Sequence, residues 1–154
     1  QIRLGTARLT HCMRWLGLSK RCLEEASAYV AHRMSFGQTL AAHEGVQWML
    51  GDVAKDIQIG RLLTMQAAWK LDQGDFARSD ISIAKIHAAD TLHKAADTAI
   101  QLLGARGYSK DTIVEWIYRY ARQARLVDGA SEIHKMVLSR AYLSEGQDFF
   151  RWGV

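Results

Sequence analysis

Leu9-Thr10-His11-Cys12-Met13-Arg14-Trp15-Leu16-Gly17-Leu18-Ser19-Lys20-Arg21-Cys22-Leu23-Glu24-Glu25-Ala26-Ser27-Ala28-Tyr29-Val30 decides the fold. Leu9, Leu16, Leu23 and Val30 recur every seven residues, and Cys12, Met13 and Ala26 fill the same face. That spacing keeps apolar side chains on one side of a helix and puts charged ones on the other. It predicts a long amphipathic helix from Thr6 to Met34, stopped at Ser35-Phe36-Gly37.

Working outward, the same period returns. Val46, Leu50, Val53, Ile57, Gly60, Thr64, Ala67 and Leu71 advance in steps of four and three, which predicts a second helix from Thr39 to Leu71. Gly60 and Ala67 on that face allow a close helix neighbour. Asp72-Gln73-Gly74-Asp75 forms a loop. Ile81, Ala84, Ala88, Ala95, Ala99 and Leu102 mark a third helix from Ala77 to Leu103. Gly104-Ala105-Arg106-Gly107-Tyr108 breaks it. A fourth helix is expected from Asp111 to Arg125, capped by Asp111 or Ser109, and a fifth from Ala130 to Glu145. A tail carries Phe149, Phe150 and Trp152. No segment alternates with period two, so no sheet is expected. Long helices joined by short loops lie antiparallel, which predicts an all-α, up-down four-helix-bundle-like domain.

The 154 residues suit one domain, and the absence of Pro lets helices run long. A net charge of +4 is too weak and too dispersed to indicate nucleic acid. No apolar run approaches the roughly 18 residues of a membrane span. The first ten residues carry Arg3 and Arg8 without a long apolar core, so no secretory leader is expected there. Cys12 and Cys22 stand about 15 Å apart along one helix, too far to bridge. They read as reduced packing cysteines, pointing to the cytoplasm, or to the mitochondrial matrix in a eukaryote. Gln1 in place of Met suggests a piece of a longer protein.

Three places carry possible chemistry. In Arg33-Met34-Ser35-Phe36-Gly37 a guanidinium that can grip a pyrophosphate sits beside a ring that can stack on a heterocycle; a plain helix C-cap explains the same residues. Gln101-Leu102-Leu103-Gly104-Ala105-Arg106-Gly107-Tyr108 is a glycine-bearing turn that lets a ligand approach the backbone, or simply a turn between helices. In Arg125-Leu126-Val127-Asp128-Gly129-Ala130-Ser131-Glu132-Ile133-His134 a lone Asp-Gly breaks the helical pattern. A carboxylate held there between rigid elements suits a general base, or it caps the next helix. The six His, among them His43, His87, His93 and His134, show no metal spacing, and no Glu-x-x-His pair supports a di-iron site.

Together these pieces resemble the C-terminal domain of the acyl-CoA dehydrogenase family, from about Thr6 to Arg140. The family's Arg-x-x-Phe-Gly motif matches Arg33 to Gly37, and its following His-Gln matches His43-Glu44. Its Gln-x-x-Gly-Gly-x-Gly-aromatic loop matches Gln101 to Tyr108, with Ala105 for the second Gly. Its Arg-Asp matches Arg119-Tyr120, and its Glu-Gly-Thr-Ser-Glu-Ile segment matches Asp128 to Ile133. The resemblance implies an FAD-dependent oxidoreductase that dehydrogenates acyl-CoA thioesters between the alpha and beta carbons. A carboxylate takes the alpha proton, a hydride leaves the beta carbon for FAD, and donors stabilise the thioester oxygen. It makes Asp128 the base, with its own N–H as one oxygen donor, and places Arg8 and Gly129 beside the substrate. It assigns FAD contacts to Arg33, Phe36, His43, Gln101, Gly104, Ala105, Ala130 and Glu132, partly across a subunit interface, and no metal.

The resemblance further implies one domain of a three-domain protein, a homodimer or homotetramer, and an electron-transfer flavoprotein or similar electron acceptor. The isolated chain is expected to hold flavin poorly and to turn over little substrate. Asp128 stands where most members have Glu, Val127 where many have Tyr, and Ala130 where many have Thr. Some relatives read Asp-Gly at this point. The aligned position of the alternative base on the first helix is Ala7, which cannot act. The competing expectation is a non-catalytic member that keeps the bundle as a dimerisation or scaffold module.

Overall fold

A computed structural model describes residues 2–151. Six α-helices follow one another: α1 (Ile2–Val30), α2 (Glu44–Asp72), α3 (Arg78–Leu103), α4 (Ala105–Tyr108), α5 (Val114–Ala121) and α6 (Ser131–Glu145). Between α1 and α2 lies a small hairpin of β1 (Met34–Ser35) and β2 (Gln38–Thr39). The all-α bundle expected from the spacing is the observed architecture.

The centre of the bundle is α3, packed by α1 and α2 along its length and by α5 and α6 on its other flanks. Its buried face is wider than the stripe seen in the sequence. Ser82, Lys85, Ala89, Thr91, Leu92, Ala96 and Leu103 join the expected residues in the core. A helix enclosed on several sides buries more than one stripe, and its alanines allow the neighbours to come close. Gly60 of α2 is such a contact: a Cβ there would stand 2.6 Å from the Leu16 side chain and 3.2 Å from His87. On α1, Leu9, Cys12, Leu16, Ala26 and Val30 are buried as expected, with Trp15 and Cys22 beside them. Met13 is not: it is 64% exposed. One residue past Cys12, it is turned about 100° off the buried face, and Trp15 fills that space instead.

Several expected boundaries shift. Helix α1 ends at Val30, and residues 34–39 form the hairpin, pairing Met34 with Thr39 and Ser35 with Gln38. Phe36 and Gly37, at φ 50° and 81°, are its two-residue turn, a left-handed pair that suits the twist of short antiparallel strands. Two-residue strands are too short to show alternation, which is why no sheet is visible in the sequence. Helix α2 begins at Glu44, after a 3-10 turn over Leu40–Ala42, so His43 precedes it rather than riding on it. The expected fourth helix is shorter, Val114–Ala121, with a 3-10 turn over Arg122–Arg125. The Val114 N–H points to the Thr112 hydroxyl at 3.4 Å, and the Ser109 hydroxyl accepts from the Asp111 N–H at 3.2 Å. The glycine break holds the single turn α4. Gly107 serves the fold there, because a Cβ would stand 2.9 Å from the Ile100 Cα and the Leu103 Cβ. In the tail, Phe149 and Phe150 pack on Tyr142; Trp152 lies outside the described residues.

Candidate active site

The loop from Ala124 to Ala130 joins the two short elements that close the bundle, and cations of the same chain hold its backbone. Asp128 has φ 52° and Gly129 φ 99°. Asp tolerates the left-handed region better than most residues, and Gly accepts it freely. The Arg8 Nε donates to the Asp128 carbonyl at 2.9 Å. The Lys85 Nζ donates to the Gly129 carbonyl at 2.7 Å and reaches the Ala124 carbonyl at 3.5 Å. Two cations on adjacent carbonyls fix the direction in which Asp128 leaves the chain.

The Asp128 carboxylate does not cap α6. The residue before that helix is Ala130, which makes no side-chain cap hydrogen bond. Instead Asp128 Oδ2 lies 2.8 Å from His11 Nε2, with the two side chains 32% and 22% exposed. His11 stacks on Trp15 at 5.2 Å between ring centroids, and the Lys85 ammonium lies 5.3 Å from the Trp15 ring centroid. Arg8, His11 and Trp15 are spaced by three and four residues, so one face of α1 presents all three. From α6, His134 packs against the loop from the far side, its Nδ1 3.0 Å from the Ser82 hydroxyl. A Cβ on Gly129 would stand 3.1 Å from His134 Nε2 and 3.4 Å from Arg8 Nη2.

The electrostatics follow from this crowding. Burial, reinforced by the positive charges of Lys85 and Arg8, pushes His134 down to about 4, so it is neutral at pH 7. Burial likewise pushes the Lys85 ammonium below its usual value. Burial pushes the Cys12 and Cys22 thiols up to about 12, which removes them as nucleophiles. Among the described residues, five buried side-chain polar atoms lack a partner, and four belong to this region: His11 Nδ1, Trp15 Nε1, Ser131 Oγ and His134 Nε2. Such atoms are rare in native cores. The Asp128 N–H donates to no backbone carbonyl among the described residues.

The other expected site residues gather elsewhere. Arg33 is exposed, and Phe36 is 97% exposed at the hairpin tip. His43 braces that tip: its Nε2 donates to the Ser35 carbonyl at 3.1 Å, and its Nδ1 accepts from the Gln38 amide at 3.2 Å. Its ring meets Phe36 edge-on. Gln101, Gly104 and Ala105 are exposed at the C-terminal end of α3, with Gly104 at φ 61°. A cavity of about 570 Å³, lined by Tyr29, His32, Arg33, Leu103 and Arg106 among others, joins this end of α3 to the end of α1. So Arg8, Asp128, Gly129 and Ala130 form one group, and Arg33, Phe36, His43, Gln101, Gly104 and Ala105 form another. Glu132 is exposed in the first turn of α6. From Arg8 to Val30, α1 rises about 33 Å at 1.5 Å per residue, so the groups sit at opposite ends of the bundle.

Sequence reasoning missed His11, Trp15, Ser82 and Lys85. The spacing of Arg8, His11 and Trp15 carries the signal for the first two. For Lys85 the signal is a cation inside the alanine face of α3.

Comparison with known proteins gives this geometry its context. A family profile described as "Acyl-CoA dehydrogenase, C-terminal domain" matches residues 1–143. A Mycobacterium tuberculosis protein named "Probable acyl-CoA dehydrogenase FadE2" is 37% identical across all of this chain, which covers 38% of that protein. Acyl-CoA dehydrogenase family member 11 of Gallus gallus is 34% identical over 91% of the chain, which covers 18% of that protein. The solved glutaryl-coenzyme A dehydrogenase in complex with glutaryl-CoA superposes with a TM-score of 0.88 at 31% identity. That match covers 98% of this chain and 38% of that one. The chain therefore spans well under half the length of these relatives, and it belongs to the acyl-CoA dehydrogenase family, matching its C-terminal domain.

Proposed function

We propose that this chain is the C-terminal helical domain of a three-domain, FAD-dependent acyl-CoA dehydrogenase, with Asp128 as the base that removes the alpha proton. The observation that carries this reading is the Asp128 loop itself. A partly exposed carboxylate stands on a left-handed residue whose carbonyl is held by Arg8, next to a Gly129 carbonyl held by a buried Lys85. A base held at fixed direction contributes on the order of a hundredfold to ten-thousandfold to proton transfer. The Asp128 N–H meets the thioester oxygen as it gains negative charge, which makes the alpha proton easier to remove. Arg8 and Gly129 form the rest of the wall on the substrate side. The side chain is one methylene shorter than Glu, and the left-handed backbone at residue 128 sets where it starts.

The residues present fit FAD as two half-sites. Ser131 Oγ and the first turn of α6 offer unpartnered donors beside Ala130 and Glu132, where the flavin ring belongs. At the other end, Arg33 and the open face of Phe36 suit a diphosphate and an adenine. His43 acts by shaping that tip, and Gln101, Gly104 and Ala105 line its approach. FAD, when bound, accepts the hydrogen and electron pair that leave the beta carbon. A single dinucleotide does not span the two ends of one chain, so each FAD takes its halves from two subunits of a homodimer, or of a homotetramer built from such dimers. Reoxidation falls to an electron-transfer flavoprotein or a similar acceptor. Among the described residues no helix is long and apolar enough to cross a membrane, and we place the protein in the cytoplasm or, in a eukaryote, in the mitochondrial matrix.

Asp128→Asn in the full-length protein tests the reading. Exchange of the alpha hydrogen of an acyl-CoA for solvent deuterium falls at least a hundredfold, while the flavin stays bound. Exchange at the wild-type rate sinks the assignment of Asp128 and favours a non-catalytic scaffold.

A further inference from the structure

The pairing of His11 with Asp128 has no counterpart in the motifs that carry the family resemblance. We propose that His11 is a positioning residue for the base: it holds Asp128 Oδ2 and thereby leaves Oδ1 as the oxygen that takes the alpha proton. The inference rests on the reading of Asp128 as the base and adds the residue that aims it.

The protons on His11 follow from its surroundings. Nε2 lies 2.8 Å from a carboxylate oxygen and so carries a hydrogen. Nδ1 is buried with no partner among the described residues. A bare lone pair is cheaper to bury there than a second N–H with its positive charge. In this arrangement His11 Nε2 is the donor side of the pair and Asp128 Oδ2 the acceptor side. Among the described residues Oδ1 has no partner. When the alpha C–H bond breaks, its proton forms the new O–H on Oδ1, and the His11 N–H keeps its bond to Oδ2. The contact at Oδ2 survives the transfer, so nothing need rearrange as the proton arrives.

The ring is itself well held. Trp15 stacks against it one turn along α1, and Trp15 rests against Lys85 on α3. A short carboxylate has one rotatable bond fewer than Glu. Fixing one of its oxygens therefore settles nearly the whole direction of the side chain. The charged and titratable groups around the pair are Arg8 and His11 from α1, Lys85 from α3, and His134 from α6. Burial keeps His134 neutral across the working range.

Two substitutions in the full-length, FAD-loaded protein separate aiming from packing. His11→Phe keeps a flat ring on Trp15 and loses the donor. His11→Gln loses the ring and keeps an N–H at similar reach. We expect His11→Phe to lower kcat for alpha-hydrogen exchange at least tenfold, with KM changed less. His11→Gln keeps most of the rate. A wild-type kcat in His11→Phe overturns the proposal, as does a His11→Gln protein slower than His11→Phe. A structure of the wild-type holoenzyme with an acyl-CoA analogue provides a check that needs no variant. Oδ1 toward the alpha carbon and Oδ2 on His11 is the expected result, and the reverse overturns it. If Asp128→Asn also exchanges at the wild-type rate, the base assignment has failed. If Asp128→Asn is dead and His11→Phe is normal in rate, only the role of His11 has failed.

Discussion

The two ends of the bundle are built on opposite plans. At the Asp128 end, Arg8 and Lys85 arrive from two helices and spend their bonding capacity on one loop of the same chain, while His134 of a third helix packs against it. At the Phe36 end, a two-residue turn projects a ring that is 97% exposed, and His43 bonds only the hairpin that carries it. The first end is pre-set by its own core. The second is an exposed tip that its own chain leaves uncovered. A change at the first end should therefore cost stability and chemistry together, whereas a change at the second should cost binding alone.

The largest break in that contrast comes from Gly129→Ala. The position has φ 99°, and the new methyl would press on His134 Nε2 and Arg8 Nη2. A non-glycine residue in such backbone costs about 1–3 kcal/mol before any contact is counted. We expect a loss of about 3 kcal/mol in urea unfolding and, in the full-length protein, a fall of a hundredfold or more in alpha-hydrogen exchange. If the substitution costs less than about 0.5 kcal/mol and leaves exchange intact, the loop is not pre-set and the contrast between the ends collapses.

How far this was visible in the sequence also differs between the ends. Periodicity exposes whatever repeats along a helix, so the buried faces of α2 and the marked residues of α3 were legible from Val46 to Leu102. Motif order singled out Asp128, Arg33 and Phe36 as expected site residues. What periodicity hides is a residue whose burial has a cause outside its own helix. Lys85 looks like a flaw in an alanine stripe until the Gly129 carbonyl is placed beside it. His11 looks like the polar edge of α1 until the loop turns Asp128 toward it across more than a hundred residues. Met13 shows the opposite error: an apolar residue next to the face is not on it. The hairpin was hidden because its strands are only two residues long, and its register comes from left-handed turn geometry rather than from pattern.

A second way to sharpen the comparison uses pH. The folded chain holds His134 at about 4, against an ordinary value of 6.5. Between those values the unfolded chain binds a proton that the folded chain refuses. Stability is thus highest above about pH 6.5 and falls as the pH drops toward 4. At about 1.4 kcal/mol per unit, a shift of this size is on the order of 3–4 kcal/mol. Urea midpoints at pH 7 and pH 4.5 should show the decline, and His134→Gln should flatten that part of it. An equally steep profile in the variant would mean that the carboxylates, not the packing around Gly129, govern the acid response.

The smallest effect belongs to the far end. Phe36→Ala removes a ring that touches little of its own chain besides the edge of His43, so the unfolding midpoint should stay within about 0.5 kcal/mol of wild type. If the ring stacks on the adenine of FAD in the assembled protein, its loss weakens FAD binding about tenfold, in line with about 1 kcal/mol for an aromatic pair. Titrating FAD into the deflavinated full-length protein measures this. Alpha-hydrogen exchange per bound flavin should not change, because Asp128 lies at the other end of α1. A variant that binds FAD normally but unfolds early would make Phe36 part of the fold. One that binds normally and unfolds normally would leave the tip without a role in the cofactor site, and the two-ended arrangement would then rest on Arg33 and the end of α3 alone.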